Sequence, residues 1–235
     1  MTRALERGAT VHLPVAVLRA VLRWGDPPGA GRGGPGLDLS ALLLDAGGRV
    51  RSQGDFVFYN QPRHPTGLVR RLPRRRDAEG RRETVEAELG RLDAGVRRVV
   101  LAASADGGFA GVRGARLLLH DAAAPAPAPV LALLALAPGE GETAVVCGEL
   151  RRAAGGWDFR AGGAGYTGGL PALAASYGIA PAGRAPSSPP AGTPPVRAAA
   201  PGPPPHATDG AAPSYGYPQP DPAFTLPPQG PQFLN

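Results

Sequence analysis

Large apolar residues fall into short runs along the chain, and glycine or proline lies between most of these runs. Runs of this length at close spacing are typical of the strands of a β-sandwich or barrel. They predict an all-β fold with these runs as strands: Val11–Trp24, Leu37–Leu44, Phe56–Tyr59, Val96–Ala103, Ala115–Leu119, Val130–Leu136 and Ala144–Leu150.

Two further segments alternate polar and apolar residues, which indicates strands whose faces meet different surroundings. They are Glu83–Leu89, which we expect to keep one face in water, and Trp157–Arg160. A single helix is predicted over Gly169–Tyr177, because Pro171 lies near its start and Gly178 follows its end. The pattern therefore predicts a β domain with one short helix near its C-terminal end.

Proline content divides the chain into two parts. The last 56 residues contain 17 of the 29 prolines and few large apolar residues. Such a segment buries too little surface to offset the entropy lost on ordering. We therefore predict a folded domain over residues 1–179 and a disordered proline- and alanine-rich tail over residues 180–235.

The end of the tail, residues 223–235, reads AFTLPPQGPQFLN and holds a small group of large apolar residues. Apolar residues in an otherwise polar disordered segment commonly anchor it to a folded partner. The predicted docking residues for an unidentified protein partner are Phe224, Leu226, Phe233 and Leu234.

The positive charge is all arginine, with no lysine, and its excess is local. Of the net charge of +6, residues 70–82 supply +5, from seven arginines and two acidic residues. One interpretation of this Arg70–Arg82 loop is structural, with the arginines solvated or paired to nearby carboxylates. The other is an anion site for phosphate, nucleic acid or an acidic partner. Its candidate residues are Arg74, Arg75, Arg81 and Arg82.

Nucleic acid is the less expected of these anions, because no aromatic residue for base stacking lies among the arginines. Other chemistry finds little support in the sequence. Cys147 is the only cysteine, so an intrachain disulfide is impossible, and it reads as a small buried apolar residue. No two histidines have metal-ligand spacing, and His64 is expected to be solvated in a loop.

No Gly-x-Ser-x-Gly element or complete phosphate-binding loop is present, so we expect no enzyme activity. The longest apolar run, Val130–Ala137, is too short to cross a bilayer, and the first residues lack the apolar core of a signal peptide. With a single thiol, these observations predict a cytoplasmic protein.

Six blocks follow one another in a recognisable order. They are Leu5–Leu13 (LERGATVHL), Leu37–Leu44 (LDLSALLL), Asp55–Pro62 (DFVFYNQP), Glu142–Leu150 (ETAVVCGEL), Trp157–Ala161 (WDFRA) and Gly165–Leu170 (GYTGGL). DFVFYN and ETAVVCGEL followed by W-x-FRA are specific when they occur together. In these blocks the chain resembles the TerD family of bacterial tellurium-resistance and stress-response proteins, over about residues 5–179.

The resemblance implies a β-sandwich of two sheets without catalytic activity. It also implies calcium bound by acidic loops at one end of the sandwich, where the cation finds its six to eight oxygen ligands. This sequence departs from that acidic pattern, since the expected segments read Gly36-Leu37-Asp38, Pro73-Arg74-Arg75 and Gly80-Arg81-Arg82-Glu83. The ligand candidates that remain are Asp38, Ser40 and Glu83.

Lost oxygens and added arginines predict weak or absent calcium binding and no required cofactor. The sequence therefore predicts a non-enzymatic stress-response or tellurium-resistance protein that acts as a binding or scaffold module with a degenerate calcium site. The alternative is a ligand-regulated module that keeps weak calcium binding or binds anions through the Arg70–Arg82 loop.

Overall fold

The computed structural model describes residues 3–25 and 36–179, and nearly all the regular structure in them is β. The strands are Arg3–Leu5 (β1), Thr10–Leu13 (β2), Leu18–Gly25 (β3), Leu37–Leu44 (β4), Phe56–Val57 (β5), Val69–Asp77 (β6), Gly80–Ala87 (β7), Arg98–Ala105 (β8), Arg113–Asp121 (β9), Val130–Ala135 (β10), Ala144–Ala153 (β11), Gly156–Ala161 (β12) and Gly165–Tyr166 (β13). The helix α1 covers Gly169–Ser176, and two 3₁₀ turns cover Gln53–Asp55 and Leu89–Arg91.

The strands form two sheets. The six-stranded sheet has the order β1-β10-β9-β3-β7-β6, and its pairs are antiparallel except for β1 with β10. The seven-stranded sheet has the order β2-β12-β11-β8-β4-β5, with β13 added beside β11. The inward residues of both sheets build one core that includes Trp24, Leu39, Leu101 and Phe159. This is the predicted two-sheet β-sandwich, and it is confirmed.

The outer faces of the two sheets differ. On the seven-stranded sheet, α1 and the segment around Phe56 cover a second apolar cluster that includes Leu42, Val100 and Leu173. Among the described residues no helix lies on the outer face of the six-stranded sheet. Within residues 3–25 and 36–179, one sheet is therefore covered on both sides, and no helix covers the outer face of the other.

The predicted helix and most predicted strands are confirmed, with differences at their ends. The run Val11–Trp24 forms two strands rather than one, β2 and β3, which lie in different sheets. Pro14 lies in the break between them, where its missing N–H leaves no ladder bond unmade. In the run Phe56–Tyr59 the strand ends at Val57, and Phe58 forms only an isolated bridge with Gln61.

The prediction that residues 70–82 form a loop is wrong. Residues Val69–Asp77 form β6, an edge strand that pairs with β7 in a β-hairpin. The expectation of a wet face on Glu83–Leu89 is also wrong, since Glu83 is 2% exposed and Glu86 is 8% exposed. Both glutamates are covered because neighbouring arginines pair with them.

Cys147 has the environment that the sequence indicated. It is fully buried in the main core, and burial raises the pKa of its thiol to about 12. The predicted tail over residues 180–235, with its docking residues Phe224, Leu226, Phe233 and Leu234, lies outside the described residues, so the boundary at residue 179 stays a prediction.

Candidate functional site

The β6–β7 hairpin places arginine side chains at one edge of the sandwich. Its register runs regularly to the pair Leu72 and Thr84, then shifts, so that the next paired residues are Arg75 and Arg82. Pro73 lies in this bulge, where a residue without an N–H costs no ladder bond. The shift also puts Arg74 on the same side of the strand as Arg71. In a regular strand, two residues three positions apart face opposite sides.

Arg71 and Arg74 together bind the carboxylates of Asp38 and Glu83, and we call these four residues the arginine–carboxylate cluster. The Nη2 atom of Arg71 donates to Glu83 Oε2 at 2.5 Å and to Asp38 Oδ1 at 2.8 Å. Arg74 donates from Nε to Glu83 Oε1 at 2.6 Å and from Nη2 to Asp38 Oδ1 at 3.1 Å. The cluster joins β4 of one sheet to β6 and β7 of the other.

Further contacts fix the cluster in place. Arg74 also donates to the carbonyl oxygen of Leu37 at 2.9 Å, and its guanidinium lies 5.9 Å from the ring centroid of the buried Trp24. The side chains of Glu83 and Arg71 are only 2% and 10% exposed. Two cations thus neutralise two anions around the buried Glu83, while the side chains of Arg74 and Asp38 stay 43% and 29% exposed. Removing a partner of Glu83 would leave a buried charge less compensated.

The three predicted calcium ligands are only partly brought together. Asp38 and Glu83 meet in the cluster, whereas Ser40 takes no part in it. The main core contains Leu39 and Ala41, so Ser40 lies on the face of β4 that points away from the main core. Its Oγ is buried without a hydrogen-bond partner among the described residues.

The cluster does not fit a calcium ion. Both carboxylates that could ligate the ion are bound by guanidinium groups. A guanidinium about 6 Å from a divalent ion costs roughly 5 kcal/mol at an effective dielectric constant of 20. In the part of the chain that the structure describes, no three histidine, cysteine, aspartate or glutamate side chains lie close enough to share a metal. The guanidinium groups hold the carboxylates that a cation would need.

The four predicted anion-binding arginines share the hairpin but have different surroundings. Arg74 belongs to the arginine–carboxylate cluster. Arg75 and Arg82 are direct cross-strand neighbours, and Arg76 and Arg81 form the next such pair. Arg82 lies 3.5 Å from a carboxylate oxygen of Asp77, the last residue of β6. The structural interpretation is therefore observed for Arg74 and Arg82.

A second polar network, centred on Asp55, was missed by the sequence analysis. Asp55 is 2% exposed and accepts hydrogen bonds from Arg51 Nε at 3.1 Å and Nη2 at 2.8 Å. His64 is 6% exposed, so the expectation of a solvated His64 is wrong, and its Nε2 lies 3.0 Å from Asp55 Oδ1. The backbone N–H of Thr66 donates to His64 Nδ1, so we assign the proton to Nε2, which donates to Asp55.

Charge and burial act in opposite directions on Asp55. Burial is the largest effect and raises its pKa, but the hydrogen bonds from Arg51 and His64 outweigh it and hold the pKa below the ordinary value of 3.8. The network closes the turn before β5 and the loop after it. Only the spacing of Ser52 and Asp55, a helix-capping pattern, is visible in the sequence.

A cleft of about 750 Å³ lies between α1 and the segment after β5, next to the arginine–carboxylate cluster. Asp38 belongs to both the cleft and the cluster. On one wall Phe56 and Phe58 stack at 4.4 Å, and Tyr59 is 58% exposed. The DFVFYN block thus supplies a buried carboxylate at its start and an aromatic wall after it.

In the described ranges, no helix has the length and apolar character needed to cross a membrane.

Comparison with known proteins gives a consistent result. A family model described as the TerD domain matches residues 1–177. The tellurium resistance protein TerD of Alcaligenes sp is 35% identical over 153 residues, which cover 61% of this chain and 78% of that protein. General stress protein 16U of Bacillus subtilis (strain 168) is 31% identical over 162 residues, covering 61% of this chain and 77% of the relative.

Solved structures agree on the fold. The crystal structure of a protein of unknown function is 26% identical with a TM-score of 0.54, covering 69% of this chain and 96% of that one. The crystal structure of a homologue of telluride resistance protein (TerD) from Streptomyces coelicolor A3(2) is 21% identical with a TM-score of 0.50. The match covers 71% of this chain and 99% of that chain.

Proposed function

Because this chain belongs to the TerD family, as its match to the TerD domain over residues 1–177 shows, we propose that it is a non-enzymatic stress-response protein that works without calcium. It acts as a binding or scaffold module. The observation that carries the proposal is the arginine–carboxylate cluster, in which Arg71 and Arg74 already satisfy the carboxylates of Asp38 and Glu83. Its relatives include proteins named for tellurium resistance and for general stress.

We also propose a cytoplasmic location and a partner bound through the tail. The single cysteine, which allows no intrachain disulfide, supports the location. The apolar residues Phe224, Leu226, Phe233 and Leu234 support the partner.

A second candidate function is an anion-regulated module. The direct cross-strand placement of Arg75 and Arg82 favours it, because two guanidinium groups side by side form a site for a multivalent anion such as phosphate. In this alternative the hairpin, rather than the tail, is the site that responds to a ligand.

Calcium titration tests the main proposal. We expect isothermal titration of the wild-type protein to give no binding at micromolar calcium, because the guanidinium groups keep both carboxylates occupied. The Arg71→Gln/Arg74→Gln variant frees Asp38 and Glu83 and should bind calcium more tightly than wild type. The Arg19→Gln/Arg70→Gln variant is the matched control, since it frees Glu86 outside the cluster and should gain no affinity.

A wild-type Kd below about 10 µM would contradict the proposal. Phosphate titrated in parallel separates the two candidates by thermal shift. A ligand at 100 times its Kd adds about 2.7 kcal/mol to the stability of the protein that binds it. Stabilisation by phosphate, but not by calcium, would favour the anion-regulated module.

Deleting residues 223–235 tests the tail. We expect the truncated protein to lose a partner that co-purifies with the full chain, while its melting temperature stays the same. We expect the same loss of the partner in a variant with four serine substitutions, Phe224→Ser/Leu226→Ser/Phe233→Ser/Leu234→Ser. The control variant Pro227→Ser/Pro228→Ser should keep the partner. An identical set of partners for the full and the truncated chain would refute this role of the tail.

A further inference from the structure

The outer face of the six-stranded sheet has a row of four apolar residues and one threonine, Thr84, which we call the apolar row. Leu118 of β9 pairs with Leu133 of β10 on one side and with Val21 of β3 on the other. Thr84 of β7 pairs with Val21 and with Leu72 of β6. These five residues therefore lie side by side across five strands, in a line perpendicular to the strand direction. The three leucines are half-buried, and Val21 is 7% exposed.

Rows of charged residues run along both sides of this apolar row. On one side four arginines are cross-strand neighbours, in the order Arg75, Arg82, Arg23 and Arg116. On the other side the order is Arg70, Glu86, Arg19 and His120. Like charges placed directly opposite on a sheet repel each other, so the row of four arginines favours contact with negative charge. In the other row Glu86 separates Arg70 from Arg19.

Carboxylates of the protein neutralise these rows only in part. Arg23 binds Asp77 through two hydrogen bonds at 2.9 and 3.0 Å, and Glu86 lies between Arg19 and Arg70. Arg82 and Arg116 have longer contacts, 3.5 Å to Asp77 and 3.8 Å to Glu79. Among the described residues, these six arginines thus face three carboxylates, those of Asp77, Glu79 and Glu86.

The dimensions of the face fit one kind of ligand. Five strands about 4.8 Å apart give an apolar row of about 19 Å, the length of roughly 13 helical residues at 1.5 Å each. The charged rows lie two residues to either side, so they are about 13 Å apart, and a helix with its side chains is about 10–12 Å wide. A helix laid along the apolar row would have arginines on both flanks.

We propose that this face docks an acidic amphipathic helix of another protein. The apolar stripe of the helix packs on Leu72, Val21, Leu118 and Leu133, and its flanking carboxylates pair with the arginine rows. A nucleic acid is disfavoured, because the centre of the face is apolar and carries no aromatic side chain for base stacking. This surface is distinct from both the arginine–carboxylate cluster and the tail.

The test uses the full chain and a synthetic probe. The probe is a fluorescein-labelled 14-residue helical peptide with one leucine stripe and glutamates on both flanks. We expect it to bind at least ten times more tightly than the same peptide with lysine for glutamate, and to weaken as salt rises from 50 to 300 mM. An oligothymidine of similar charge should bind less tightly than the acidic peptide.

Two variants locate the binding surface. Arg82→Gln/Arg116→Gln removes the two arginines with the longest ion-pair contacts in their row. It should lower the affinity for the acidic peptide at least tenfold. Arg91→Gln/Arg151→Gln lowers the net charge equally elsewhere and should change binding less than twofold. Leu118→Ser, in the apolar row, should also lower the affinity for the acidic peptide at least fivefold.

Circular dichroism confirms that each variant is folded. Equal losses in the two arginine double variants, equal binding of the lysine peptide or tighter binding of the oligonucleotide would each overturn the proposal. None of these outcomes depends on calcium binding or on residues 223–235, so the result is independent of the main proposed function, although the surface shares Arg75 and Arg82 with the anion-regulated alternative.

Discussion

Replacing Arg71 with leucine is expected to lower the free energy of unfolding by about 3 kcal/mol. Arg71 bridges Asp38 and Glu83 while its own side chain is 10% exposed. Its removal leaves Glu83, 2% exposed, with a single guanidinium partner. Urea denaturation at pH 7 measures the change.

Two further variants show whether the loss comes from an uncompensated buried charge. Arg91→Leu breaks the exposed pair with Glu88 and should cost less than about 1 kcal/mol. Arg71→Leu/Glu83→Leu removes the charge together with its partner, so it should be more stable than Arg71→Leu alone. If Arg71→Leu costs no more than Arg91→Leu, the cluster does not stabilise the sandwich.

Replacing Asp55 with asparagine is expected to cost about 3 kcal/mol at pH 7, because hydrogen bonds to a charged group are worth about 1.5–3 kcal/mol each. Arg51 and His64 both donate to the carboxylate. An asparagine at this position would turn an N–H group toward one of these donors. The loss should appear in urea denaturation without a change in the far-ultraviolet circular dichroism of the folded state.

The pH dependence of this difference follows from the lowered pKa of Asp55. A carboxyl with a lower pKa in the folded state stabilises the protein fully above its unfolded pKa of about 3.8. That stability is lost as the pH falls through the folded pKa. The gap between wild type and Asp55→Asn should therefore be constant from pH 7 to about 5 and narrow below pH 4. A gap that stays constant to pH 3 would contradict this assignment.

The sequence predicts most of the sandwich because its core strands are continuous apolar runs. Leu37–Leu44 forms β4 over the predicted range, and the helix differs by one residue at its end. The break inside Val11–Trp24 was not visible, since the apolar pattern continues on both sides of Pro14.

β6 escaped prediction for a different reason. As an edge strand it needs few apolar residues, and only Val69 reaches the main core. Its inward Arg71 is buried through pairing with carboxylates, so its hydrophobic pattern does not alternate. His64 was misplaced because its partner Asp55 precedes it by nine residues in an irregular segment.

The candidate surfaces depend on register, which a single sequence does not fix. The composition shows a concentration of arginine between residues 70 and 82. It does not show that a bulge at Pro73 turns Arg74 toward Glu83, or that Arg75, Arg82, Arg23 and Arg116 lie in one row. Those facts come from the pairing of β6, β7, β3 and β9.

The burial of Cys147 has a consequence for redox chemistry. Because burial raises the pKa of this thiol far above pH 7, almost none of the folded protein carries the thiolate at that pH. Thiolate, not thiol, is the form that attacks oxidants and electrophiles. Because this is the only cysteine of the chain, the folded protein offers almost no sulfur nucleophile to an oxidising environment. The thiol of Cys147 becomes reactive only when the two sheets separate, so oxidation of Cys147 would report unfolding.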